Sequence, residues 1–225
     1  MPGIRPFTGR RFTAGRVRGA YTPPTGGGGG GGPAFRASST AASTTGSITV
    51  SAPAGTASGD QLILVFRSFH DAKSGSAGSL TSTGWTSVVV GSSWTGSGFA
   101  VYRKTAGASE TSYVWGSGAN WTTGNLSVIA ISGAAAIDVA GTRTGTLVAP
   151  SVTTTTSTDL LVYIAGESIG AITPPSGMTS RVSYANPAAV LIATQTLSAS
   201  GATGTRTGTV SGGSGNSESL LVAVK

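Results

Sequence analysis

DQLILVFRSF (residues 60–69) and DLLVYIAG (residues 159–166) decide how this chain folds. Each is an apolar run that begins at an aspartate and is bounded by turn residues, which is the pattern of a β-strand. Each also follows a Ser/Thr/Ala-rich stretch containing an Ala-Pro pair, Ala52-Pro53 in one case and Ala149-Pro150 in the other. The correspondence extends outward from these strands. Gly84-Trp85-Thr86-Ser87 matches Gly177-Met178-Thr179-Ser180, and Phe99-Ala-Val-Tyr102 matches Ala189-Val-Leu-Ile192. Gly107-Ala-Ser-Glu-Thr111 matches Gly201-Ala-Thr-Gly-Thr205, and Val128-Ile-Ala-Ile131 matches Leu221-Val-Ala-Val224. The offset stays between about 90 and 99 residues, the mark of an internal duplication. Two copies are too few for a solenoid. The expectation is an all-β chain, a two-sheet, jelly-roll-like β-sandwich built from two sequence-similar halves at about 40–140 and 141–225.

The strands expected in the first copy are 47–52, 61–69, 84–90, 98–105, 111–116 and 126–132. Those of the second are 146–150, 159–166, 178–184, 188–197, 205–211 and 219–225. Gly, Ser, Asn and Pro clusters separate them at regular intervals. Composition agrees. Charged residues are 9% of the 225, against about a quarter in an average protein. Thr and Val are abundant and favour pleated, half-buried surfaces. There is no cysteine, which excludes disulfides and thiolate zinc sites. No apolar run approaches membrane-spanning length, and no h-region follows the first arginines, so neither a membrane span nor a Sec signal is expected.

Charge is distributed unevenly. Arg5, Arg10, Arg11, Arg16, Arg18 and Arg36 precede the first carboxylate, Asp60. The net charge of +7 therefore sits almost wholly in the first quarter of the chain. Residues 1–39 read as an anchoring arm. Pro2, Pro6, Pro23, Pro24 and Pro33 prevent a continuous helix. Phe7, Phe12 and Tyr21 are spaced among the arginines, a combination suited to a groove on a protein: rings anchor while guanidinium groups pair carboxylates. A solvated, disordered tail is the plain alternative. Gly26–Gly32 forms a hinge that spans at most roughly 25 Å extended. The arm predicts an acidic partner. Nucleic acid is the weaker reading, because the arginines are sparse and no lysine occurs before Lys73.

The turn phrases resemble a known type of module. Pro53-Ala-Gly-Thr-Ala-Ser-Gly-Asp60 before an apolar strand is similar to the "PAGTAAGD-LLV" opening of β-sandwich modules in phage virion proteins, both tail-fibre and capsid-surface components, and in some bacterial surface proteins. Thr173-Pro-Pro-Ser-Gly-Met-Thr179 is similar to their "TPPSGWT" turn, and Pro150-Ser-Val-Thr-Thr-Thr155 before Asp159 to their "PSVTTTADDLLV" segment. The resemblance covers 40–225 and implies a fold family rather than an activity. It implies a virion location on a capsid or tail surface, a partner such as the major capsid protein or another virion protein, and repeated copies on a particle.

Little in the sequence supports catalysis. His70 is the sole histidine and reads as a loop residue beside Asp71. Only seven carboxylates exist, and no pair of them stands out as a glycosidase dyad. No Asp-x-Asp-x-Asp pattern suggests calcium. The chain is read as a non-enzyme with no cofactor and no metal. Trp85 and Trp115 fall inside strand patterns and are expected in the core. Trp94 and Trp121 lie in polar segments without counterparts in the second copy. With Asn120 and Asn125 they could stack on and hydrogen-bond a host surface glycan, or they could meet a neighbouring subunit.

Overall fold

The computed structural model describes residues 31–44, 46–69, 79–90, 97–116, 123–185, 187–212 and 215–225. Among these the structure is all β. The strands are β1 (Ala34–Ser43), β2 (Ile48–Ser51), β3 (Gln61–Phe69), β4 (Ser79–Leu80) and β5 (Thr86–Val90). Next come β6 (Ser97–Thr105), β7 (Ser112–Gly116), β8 (Thr123–Ser132) and β9 (Ile137–Ala140). They are followed by β10 (Val148–Ala149), β11 (Thr153–Thr154), β12 (Leu160–Glu167), β13 (Ala171–Thr173) and β14 (Thr179–Tyr184). The last are β15 (Ala189–Thr196), β16 (Gly201–Ala202), β17 (Arg206–Thr207), β18 (Thr209–Ser211) and β19 (Glu218–Val224).

Two five-stranded antiparallel sheets dominate. One has the order β1-β8-β3-β6-β5, the other β9-β19-β12-β15-β14. In each, the first strand of that half pairs with its last, and the remaining three follow in the same sequence. The two sheets face each other across a shared core. Ile63, Val65, Phe99, Val101, Ile129 and Ile131 come from the first, and Leu160, Val162, Ile164, Val190, Ile192, Leu220 and Val222 from the second. Each sheet is covered again on its outer face. The sheet β2-β7-β4 closes over Leu62, Leu64, Phe66, Leu126 and Val128, with Trp115 stacked on Phe66 at 3.8 Å. The pairs β10-β17, β11-β16 and β13-β18 lie on the outer side of the second large sheet, where Leu147, Ile172 and Met178 pack on Leu161, Tyr163, Leu191 and Leu221.

This layering explains the continuous apolar runs. With both faces of β3, β8, β12 and β19 buried, neither set of alternating side chains is free to be polar. β1 differs. Its sequence, AFRASSTAAS, is small and polar because it is an edge strand, paired only with β8 and half exposed. For the same reason it was not legible as a strand. The sheet begins at Ala34, inside the segment expected to be arm, so residues 34–39 belong to the sandwich.

Every large strand runs between two poles. At one, Ala34 pairs Ser132, Gln61 pairs Ile131 and Leu160 pairs Val224. Short turns close this pole. Gly59 holds φ +92 there, and Asp60 accepts a hydrogen bond from Ala57 N at 2.9 Å, which fixes the turn preceding β3. Pro33 and the two glycines before it enter at this pole, with Gly32 against Thr158 and Gly133. At the other pole, about 27 Å away along a nine-residue strand, Phe69 pairs both Ser97 and Thr123, and Ser79 pairs Gly116. The segments 70–78, 91–96 and 117–122 are thus all anchored at that same end.

Candidate functional site

Most of the residues expected to bind a partner lie outside the described residues: Arg5, Phe7, Arg10, Arg11, Phe12, Arg16, Arg18 and Tyr21 of the arm, then Trp94, Asn120 and Trp121. His70 and Asp71 lie outside them too. Two are described. Arg36 is engaged within the body. It occupies a bulge in β1, and its Nε lies 2.7 Å from Asp60 Oδ2 within the same half. Asn125 is fully buried in β8, not in a loop. Its Nδ2 donates to Thr40 Oγ1 at 3.1 Å, and its Oδ1 accepts from Ser127 Oγ at 2.7 Å. A strand interior claims these groups, so they are not offered to a sugar. Trp115 is buried as expected, and Trp85 is half-buried with its indole edge-on to Tyr113 at 5.0 Å.

The polar groups that the structure does bring together sit between the halves. Arg67 comes near the end of β3, where alternation would place an apolar residue of the shared core. It is fully buried. Its Nη1 donates to Glu218 Oε2 at 3.1 Å and its Nη2 to Ser168 Oγ at 3.2 Å and to the Asn216 carbonyl. Glu218 is held again by Arg143 Nη1 at 2.6 Å. Glu167, equally buried, accepts from Ser168 N at 2.9 Å and from Ser217 Oγ. Burial depresses the Arg67 guanidinium and raises the Glu218 carboxyl, while each charge pulls the other back. Gly166 makes room: a Cβ there would lie 2.9 Å from Phe99 Cδ2 and 3.0 Å from Arg67 Cδ. This network joins the first half to the second; Arg67, Glu167, Ser168 and Glu218 are buried, whereas Arg143 and Ser217 are half-buried and Asn216 is exposed. A small cavity of about 100 Å³ opens beside Gly215, Asn216 and Glu218. The sequence signal was Arg67, a lone charge in an apolar run; its partners were invisible because they lie 101 to 151 residues away.

A wider cleft of about 440 Å³ opens at the loop pole, lined by Ala42, Ser43, Thr44, Thr123, Tyr184 and Pro187. It lies on the seam between the halves, beside Thr123, where the segment carrying Trp121 joins the fold. Among the described residues, no group of three or more His, Asp or Glu could hold a metal ion.

The carboxylates share one property. Side-chain exposure is 9% for Glu110, 4% for Asp60, 3% for Glu218 and zero for Asp138, Asp159 and Glu167. Five basic residues take up four of them: Arg36 on Asp60, Arg67 and Arg143 on Glu218, Lys104 on Glu110 and Lys225 on Asp138. Among the described residues no acidic side chain is therefore free at the surface.

The fold and these groups define an all-β sandwich protein with a basic N-terminal extension. No family model, no curated protein and no solved structure matches the chain.

Proposed function

We propose that this chain is a non-enzymatic structural protein of a phage particle, a capsid decoration protein held to the capsid by its N-terminal arm. The observation that carries the reading is the sequestration of every described carboxylate. Five arginines of the arm precede Pro33, and the body shows them no free acid among its described residues. Their partner is then another molecule with an acidic surface, such as a major capsid protein. The resemblance of the turn phrases to virion modules supplies the setting. A body of four packed layers suits display in repeated copies. Removal of residues 1–32 tests this. Retention on particles should fall to background, and undiminished retention would rule out the arm as the anchor.

One observation favours a second reading, a tail or tail-fibre adhesin that binds a host glycan. The segments carrying Trp94 and Trp121 are anchored at the pole opposite the arm, beside a cleft lined by hydroxyls, Tyr184 and Pro187. A tethered protein would present that pole outward. Aromatic rings with neutral hydroxyls suit a sugar face. A glycan array probed with the full chain separates the readings. A hit that Trp94→Ala or Trp121→Ala abolishes supports the adhesin, and a blank array favours decoration alone.

A further inference from the structure

The two halves place opposite chemistry at one equivalent position. In the first half β1 bulges at Arg36, between the pairs Phe35–Ile131 and Ala37–Ala130. In the second half β9 bulges at Asp138, between Ile137–Val224 and Val139–Ala223. The aspartates that open the central strands, Asp60 and Asp159, are equivalent as well. Where the first half has an arginine on an aspartate, the second half has two carboxyls. Asp138 Oδ1 receives Lys225 Nζ at 2.9 Å and the Thr155 hydroxyl, and its Oδ2 receives Thr155 N at 2.6 Å. Asp159 Oδ1 receives the Thr156 hydroxyl. Asp159 Oδ2 is buried and has no donor, and the Asp138 carboxyl, bonded to Thr155 of the same turn, is the acid that acts on it. Two carboxylates cannot meet in this way with both ionised.

We propose that Asp138 and Asp159 share one proton, and that this proton latches the turn at 155–159 to strand β9 and to the end of β19. The proton resides on Asp159 and donates to Asp138. What it secures is the last turn of the fold. Ala135 N and Ala136 N bond the Lys225 carbonyl at 2.6 and 3.1 Å, and Lys225 N returns a bond to Ala136 O at 3.0 Å. The charged groups facing the pair are Asp138 itself and Lys225. Burial first, and then the neighbouring Asp138, lift Asp159 to about 6 from its ordinary 3.8, whereas Lys225 and Thr155 hold Asp138 below its ordinary value. The signs are opposite. The Asp159 contribution to stability is full below its ordinary value and is lost as pH rises through about 6. The Asp138 contribution is present above its ordinary value and is lost only in strong acid. The latch is therefore closed in mild acid and weakened at neutral pH.

The test is thermal unfolding of the full chain between pH 4.5 and 7.5, in a His70→Gln background so that the histidine does not titrate. The parent should lose about 5 °C across this range. Asp159→Asn, whose amide donates to Asp138 at every pH, should remove most of that dependence, and Asp60→Asn should leave it in place. An Asp159→Asn protein with the parent's slope would overturn the proposal. Should that variant fail to fold, carboxyl-carbon NMR of the parent decides. A midpoint near 6 for Asp159 supports the shared proton, and midpoints below about 4.5 for both aspartates refute it.

Discussion

The two poles of this molecule are built from different material. The arm pole is closed by short turns whose residues are fixed by geometry: Pro53, Gly59 and Asp60 before β3, and Pro175, Gly177 and Met178 before β14, with Met178 N bonded to Pro175 O at 3.1 Å. The loop pole joins the same strands through segments of nine, six and six residues in the first half, and of three, four and six in the second. The scaffold is shared by both halves, and what is particular to one lies at the loop pole of the first. The interior shows the same contrast. Trp115, Phe66 and Tyr113 fill the outer layer of the first half, whereas alanines and aliphatic residues surround Tyr163 in the second.

Substitutions can break or sharpen this contrast. The largest loss is expected beneath the loop pole at Arg67. Arg67→Ala leaves Glu218 with Arg143 alone and opens a cavity between the halves, costing about 3–5 kcal/mol by urea unfolding. Trp115→Ala should cost a similar or slightly smaller amount, about 3–4 kcal/mol, because it removes the ring stacked on Phe66. Gly166→Ala comes next, at about 1–3 kcal/mol, since its methyl would press on Phe99 and on Arg67. Tyr163→Phe removes one buried hydrogen bond, Tyr163 Oη to Leu147 O at 2.8 Å, and should cost about 1 kcal/mol. The smallest effect is expected from Trp94→Ala and Trp121→Ala, within about 0.5 kcal/mol, on the proposal that these residues serve recognition. If either matched Trp115→Ala, the division between scaffold and presented loops would fail.

The arm pole and the strands were the legible part of the sequence. DQLILVFRSF reads as a strand because a fully buried strand has no polar face, and β3 spans Gln61–Phe69 as expected. Asp60 and Asp159 read as turn residues before strands, and Asp60 does bond its own turn. The sandwich formed by two facing sheets was likewise expected. Strands were expected at 47–52, 111–116, 146–150 and 205–211, but not that they fold over the outer faces of the large sheets, because that depends on packing between segments far apart in sequence. β1 was lost to its small polar composition. The Arg67–Glu218 network and the Asp138–Asp159 pair were hidden for a different reason. Both join residues far apart in sequence, and only register and packing bring them into contact.

The central claim is that the arm finds its partner in another molecule, because the body's described carboxylate side chains are all sequestered. A peptide of residues 1–32, labelled for NMR and titrated with the body from Pro33 onward, tests this most directly. At physiological salt the account predicts no saturable shift of the arm resonances up to about 1 mM body. Saturable binding with a dissociation constant well below that concentration would show that the arm docks on its own sandwich, and would contradict the account.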